Sequence, residues 1–178
     1  MLVSMAATDL SDLLLASGPD PEHEAELMLF GRLVGSWDVA ARYFDPEGNV
    51  TGEARGEWHF GWGLRGRAVV DVLFSPPLAD HREGDPWFEY GTTVRVYDPK
   101  QGVWRMTWNP TSQSTHKNLI ARAEGDRIVM EGRAPEGHLV RWEFVEITDE
   151  FFLWQGRGSQ DEGKTWVLKE EMRATRQR

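Results

Sequence analysis

The sequence predicts an all-β chain: an antiparallel up-and-down barrel of about ten strands, with one short N-terminal helix. Three observations predict it. Turn signals built on Gly, Pro, Asn and Asp recur along the chain and cut it into short segments. Within those segments apolar and polar residues alternate, the period of a strand with one buried face. One stretch, just before Gly35, has helical spacing instead. So many meandering strands cannot bury one face as a flat open sheet, and closure into a barrel removes the free edges.

The elements follow in order. Residues 1–19 read as a mobile or loosely docked arm, and residues 20–178 as a single barrel domain. The run Leu13-Leu14-Leu15 is no secretory signal, because no basic residue precedes it and Asp9 and Asp12 interrupt it. The chain is expected to be cytoplasmic. A helix is predicted over about 20–34: Asp20 is a good N-cap, Pro21 a good first residue, and Leu27, Phe30 and Val34 share a face. Gly35 ends it. From Trp37 the period becomes two, with Trp37, Val39, Ala41 and Tyr43 on one face. Asp45-Pro46-Glu47-Gly48 turns the chain. In the next strand Ala54, Gly56, Trp58, Phe60 and Trp62 alternate with Glu53, Arg55, Glu57 and His59. A glycine turn (61–66) leads to strand 67–74, and a long irregular stretch (75–87) follows, the kind of loop that serves as a lid. Strands are then expected over 89–97, 103–109, 114–122, 127–133, 138–148, 151–157 and 165–175. The last competes with a helix, since Glu170-Glu171-Met172 are good helix formers. The strand is preferred because Trp166, Leu168, Glu170 and Met172 alternate with charged residues, and because the first strand needs a closing partner.

Composition excludes several classes. Hydrophobic content of 40% and charged content of 28% are those of a globular domain, and no stretch is long and apolar enough for a membrane helix. A net charge of −9 opposes binding to phosphate backbones, so nucleic acid is not expected as a partner. The absence of cysteine removes thiolate chemistry and disulfides. Two motifs match nucleotide loops in letters only. Gly61-Trp62-Gly63-Leu64-Arg65-Gly66 runs into a β-branched strand, whereas dinucleotide binding needs a helix there. Gly158 to Thr165 spells a phosphate loop, but Asp161 and Glu162 inside it repel phosphate.

Two other motifs carry a resemblance. Gly35-x-Trp37, between a helix and a first strand, resembles the start of a lipocalin-like (calycin) barrel. Ser159-x-Asp161-x-Gly163-x-Thr165-Trp166 is similar to the Asp-box hairpin loop, in which Asp161 would be structural. Together with the meander they resemble bacterial lipocalin-like families, whose barrels are similar to those of fatty-acid-binding proteins and nitrobindins. The Thr-Asp-Tyr motif of true lipocalins and the Tyr-Pro-Thr segment of haem-binding nitrobindins are absent from this sequence. The resemblance implies the fold, a Trp37 that plugs one end, and a basic residue of the closing strand laid over its indole. Arg176 is preferred to Arg173 for that place.

The strongest chemical signal is aromatic. Trp58, Phe60, Trp104, Trp108, Trp142, Phe144 and Trp154 all fall at period-two positions, which suits a ligand cavity as well as a core. His116 and Asn118, on the face of Ile120, are the expected polar anchors. The candidate ligand-binding set is therefore Trp58, Phe60, Trp104, Trp108, His116, Asn118, Trp142 and Trp154. Glu143/Glu146 and Glu170/Glu171 read as solvated faces. Arg105 should point outward, and an inward Arg95 or Arg141 would clamp a carboxylate. The five histidines form no metal-ligand pair and no nucleophile elbow is present, so no catalytic residue, metal or cofactor is expected. The expected function is binding of a small apolar or amphipathic molecule in the barrel. The alternatives are a barrel-borne isomerase, cyclase or hydratase with His116 or a buried Asp or Glu as its acid–base group, and a filled barrel that serves self-association, for instance as a homodimer.

Overall fold

The structure, a computed structural model, describes residues 9–178. The portion of the N-terminal arm before Asp9 lies outside the described residues. From Asp9 onward the arm is docked. A short helix α1 (Leu10–Leu14) leads into a two-residue strand β1 (Leu15–Ala16), which pairs with Trp62 and Gly63. The Asp20 N–H then donates to the Gly66 carbonyl at 3.2 Å. A side chain at Gly66 would strike this segment, since its Cβ would lie 2.4 Å from the Gly18 carbonyl oxygen.

Ten strands form the barrel. They are β2 (Gly35–Phe44), β3 (Val50–Gly63), β4 (Ala68–Ser75), β5 (Glu89–Asp98), β6 (Val103–Pro110), β7 (Lys117–Glu124), β8 (Arg127–Arg133), β9 (Leu139–Val145), β10 (Phe151–Ser159) and β11 (Val167–Arg176). Each pairs antiparallel with the next, and β11 returns to β2 with Met172 opposite Ala41, Ala174 opposite Val39 and Arg176 opposite Trp37. The last segment is thus a strand. Its helix formers yield because the ladder groups of β2 and β10 need a partner between them. A bulge interrupts the alternation expected there: Glu170 faces Gly156, but Leu168 faces Arg157, so Lys169 is the extra residue. Glu170 and Met172 therefore point inward, whereas Leu168 does not share their face.

The helix is shorter than the expected span. Asp20 accepts the Glu22 N–H at 2.9 Å and caps a single tight turn (Pro21–His23), and α2 (Glu24–Gly31) follows. It stops at Gly31, not Gly35, because Trp62 lies against its last turn; a Cβ at Gly31 would sit 2.5 Å from that indole. Leu27, Phe30 and Leu33 enter one end of the barrel and are fully buried. Phe30 meets Trp104 and Phe144 edge-on at 5.0 and 6.2 Å.

Trp37 and Arg176 lock this plug. The buried Trp37 indole donates to the Leu33 carbonyl at 2.8 Å and meets Phe152 edge-on at 4.6 Å. The Arg176 guanidinium lies over the indole, 4.1 Å from its centre. It also donates to the carbonyls of Val34 (2.9 Å) and Arg32 (3.4 Å), and to that of Asp149. The carbonyls of Arg32 and Val34 are left free where the helix ends. Gly35 makes room, with φ +134° and a virtual Cβ only 2.2 Å from Arg176 Nη1. Arg173 instead lies on the outer face near Glu171 (3.7 Å).

A thermal-melt double-mutant cycle on Trp37→Ala and Arg176→Ala checks this lock. The two changes should be non-additive by about 0.5–2 kcal/mol, the range of a cation over an aromatic face. Strict additivity would leave Trp37 an ordinary core residue.

Candidate functional site

The plug fills only one end. Toward the other, the walls enclose a chamber of about 80 Å³. Trp58, Leu73, Thr93, Trp108, Trp154 and Met172 surround it, Arg95 lies at its floor, and Glu89, Gln113, Lys117, Trp142 and Glu170 stand toward the mouth. A vestibule of about 280 Å³ adjoins it, between Val140, Trp142, Gly156, Gly158 and Val167. The two share Lys117, Trp142 and Glu170.

Glycines on the neighbouring strand, for Trp108, and on the same strand, for Trp154, let the indoles lie across the wall. Gly91 stands beside Pro110 in the ladder, and a Cβ there would be 2.4 Å from the Trp108 ring. Gly156 lies between Trp142 and Glu170, and a Cβ there would be 2.9 Å from the Trp154 ring. Where an inward side chain is missing, a large ring spreads sideways and space remains in front of it.

The floor is polar. Asp71 and Arg95 are buried and approach to 2.5 Å. Asp71 Oδ1 accepts the Thr93 N–H at 2.9 Å. The guanidinium lies between two rings, 5.1 Å from Phe30 and 5.4 Å from Phe60. The Asp71–Arg95 contact is close but poorly aligned: neither Nη1 nor Nε of Arg95 makes a directed hydrogen bond, so the pair is a charge contact and not a fork. Trp58 Nε1 is also buried without an acceptor among the described residues.

The mouth carries charge. Burial and the Glu89 carboxylate push Glu170 up to about 7, although the Tyr43 hydroxyl and the Lys117 ammonium pull the other way. Burial likewise raises Glu89, against a Ser112 hydroxyl at 3.4 Å and Lys117. Burial and the same two glutamates raise Tyr43. The Lys117 ammonium sits 5.8 Å from the Trp142 ring centre.

Of the ligand-binding candidates, Trp58, Trp108, Trp142 and Trp154 line the chamber. Phe60 and Trp104 point inward but pack toward the plugged end, around Arg95 and Phe30. His116 and Asn118 lie on the outside, a correction to the expected anchors. Asn118 is exposed and accepts the Thr107 hydroxyl at 2.8 Å. The inward residues of β7 are Lys117, Leu119 and Ala121, opposite Trp108, Met106 and Trp104. Ile120, which suggested the other face, is itself 37% exposed. The glutamates read as solvated faces are a second correction: Glu170 is a half-buried inward residue, Glu171 is buried on the outer side against Arg42 at 2.6 Å, and Glu143 is buried between Arg127 (3.0 Å) and Arg157 (3.4 Å). Arg105 is exposed. Asp161 shapes the final hairpin: Oδ1 accepts the Thr165 N–H (2.9 Å) and the Ser159 hydroxyl (2.8 Å), and Oδ2 accepts the Thr165 hydroxyl (2.7 Å). These bonds hold its carboxyl down at about 2. Trp166 packs under Arg141, 4.3 Å from its guanidinium carbon. Among the described residues no group of three or more His, Cys, Asp or Glu is placed to hold a metal ion, and no helix is long and apolar enough to cross a membrane.

No protein-family model matches this chain, and no curated protein sequence does. Solved structures do. The S-type phycobiliprotein lyase CPES from Guillardia theta aligns over 90% of this chain and 99% of its own, with a TM-score of 0.59 and 11% identity. A DUF3598-family protein of unknown function from Nostoc punctiforme aligns over 85% and 99%, with a TM-score of 0.27 and 9% identity. The first likeness shows a shared fold, and the closed meander fits a lipocalin-like barrel.

Two measurements check the polar groups. Asp71→Asn leaves Arg95 buried without its counter-charge and should cost about 3–5 kcal/mol in denaturant unfolding, whereas Asp71→Leu with Arg95→Met should recover most of it. Glu170 gives a pH signature. Its folded value lies near 7 against 4.5 for the free side chain. The folded state thus holds the extra proton between those values. The resulting stability is full below about pH 4.5 and is lost as pH rises through about 7, up to about 3 kcal/mol. Melts of Glu170→Gln across pH 4–8 should lack that fall, and the variant should be the more stable protein at pH 8.

Proposed function

We propose that this protein binds a small amphipathic molecule in the chamber and vestibule at the open end of the barrel. One observation carries the reading: four tryptophans and two glutamates line a space that the plug leaves unfilled, with the buried Asp71–Arg95 pair at its floor. Apolar walls with a few polar groups are how small-molecule sites gain affinity and orientation together. A filled barrel devoted to self-association suits the plugged half, where aromatic rings close-pack, but not the mouth. The chain is read as a cytoplasmic binding protein, with residues 20–178 as its one domain.

A second reading draws on Glu170. A carboxyl that titrates near neutrality at a cavity wall, beside Tyr43, could serve as a general acid or base in an isomerase, cyclase or hydratase. Substrate turnover lost in Glu170→Gln with binding retained would favour it.

The binding reading is tested with N-phenyl-1-naphthylamine, an uncharged fluorescent probe that accepts energy from tryptophan. Saturable energy transfer is expected, and Trp108→Ala should weaken it about tenfold or more while far-UV circular dichroism stays unchanged. Absence of saturable transfer in the wild type would overturn the proposal.

A further inference from the structure

The lining of the chamber has an unbalanced charge. Asp71 and Arg95 cancel as a contact pair. That leaves two carboxylates, Glu89 and Glu170, and one ammonium, Lys117, facing the same space. Lys117 pulls both carboxyls down, yet burial and carboxylate repulsion prevail and Glu170 keeps a proton into the neutral range. The other charged or titratable groups near Glu170 do not reverse this. Tyr43 is neutral there, and Lys169, Arg157 and His138 stand around the vestibule. The site has room for one more positive charge, and the proton on Glu170 is its substitute.

The walls suit the same charge. The faces of Trp58, Trp108, Trp142 and Trp154 are negative and attract ammonium groups. Lys117 over Trp142 already makes that contact. A second observation is independent of the acids. Trp58 lines the chamber and is 4% exposed, and its indole N–H finds no acceptor among the described residues. A buried donor left in this way is destabilising, and a ligand oxygen would remove that cost.

We propose that the ligand of this cavity is a monocationic amine, its ammonium held between Glu89 and Glu170, its body against the tryptophans, and an acceptor oxygen turned to the Trp58 N–H. This rests on the binding function proposed above and names the ligand class. On binding, the amine N–H groups donate to both carboxylates, and the proton shared at Glu170 leaves to solvent. An anionic head at the mouth would meet two carboxylates and is rejected.

Calorimetric titration with three probes of one shape tests it: 2-phenylethylamine, 2-phenylethanol and 3-phenylpropionate at pH 7 and low salt. The amine should bind at least tenfold tighter than the alcohol, and the acid should be weakest. Titrations of the amine in two buffers of different ionisation enthalpy should show net proton release at pH 7 that is absent in Glu170→Gln, since burial raises the Glu170 carboxyl into the neutral range. Glu170→Gln should weaken the amine about tenfold or more and leave the alcohol unchanged. Glu89→Gln gives a second variant, with folding of both followed by circular dichroism. Equal binding of amine and alcohol, preference for the acid, or an amine affinity untouched in both variants would overturn the amine while leaving cavity binding intact. If none of the three binds and N-phenyl-1-naphthylamine does not either, both proposals fall together.

Discussion

A barrel of ten strands is wider than its own side chains can fill from the wall. The rest of this structure follows from that constraint. One solution is to bring a further element inside, and the chain does so at one end with Leu27 and Phe30 of α2 and with Leu33 just beyond it. A plug is useful only if it is held. The Trp37 indole binds the Leu33 carbonyl just past the helix, and Arg176 of the last strand binds the carbonyls of Arg32 and Val34. The first and last strands thus close the barrel and clamp the plug with the same residues. Removal of Arg176 would leave unsatisfied carbonyls as well as a bare indole face.

At the other end the same width is left open. Inward positions there hold Gly91 and Gly156 where larger residues would narrow the bore, and Glu89, Lys117 and Glu170 where apolar ones would pack. Both choices weaken a core. Missing side chains forfeit dispersion contacts, and half-desolvated carboxylates are held against their preference for water. The buried Asp71–Arg95 pair marks the boundary between the two halves. On one side it touches Phe30 of the plug and Phe60, and on the other it forms the floor of the chamber. A pair of apolar residues of similar volume would hold the fold at least as well.

Much of this fold was legible because period two is a strong signal. The aromatic alternation of Trp58-Phe60-Trp62 and of Trp104-Met106-Trp108 placed those residues inside, and the resemblance to lipocalin-like barrels, joined to strand order and alternation, pointed Arg176 to Trp37. The parts that were not legible have identifiable causes. In β7 two alternations compete, and Ile120 is a larger apolar residue than Ala121, so the wrong face looked inward. In β11 a bulge adds Lys169, and parity could not be followed from Trp166 through to Met172. In β4, Asp71 looks like an interruption among valines, although it shares parity with Val69 and Leu73 and so belongs inside. Gly31 ended the helix earlier than Gly35 because the approach of Trp62, a tertiary contact, decides it. Inward glycine opposite a bulky ring was the local signal that could have marked the chamber.

Two arginines then separate the structural end from the functional one. Both lie against aromatic rings, and both come from strands that face the interior. Arg176 gives its donors to the carbonyls of Asp149, Val34 and Arg32, and its contacts are complete within the protein. Arg95 is more deeply buried, yet Nε and Nη1 find no directed acceptor, and the nearby Trp58 N–H shares that condition. Desolvated donors are costly in a low-dielectric interior, and that cost concentrates on one wall of one cavity. At the plugged end the Trp37 N–H and the Arg176 guanidinium have their partners inside the fold. At the open end one ammonium faces two carboxyls and the Trp58 N–H has no acceptor among the described residues, so a molecule that carries both complements gains what the fold alone leaves unmade.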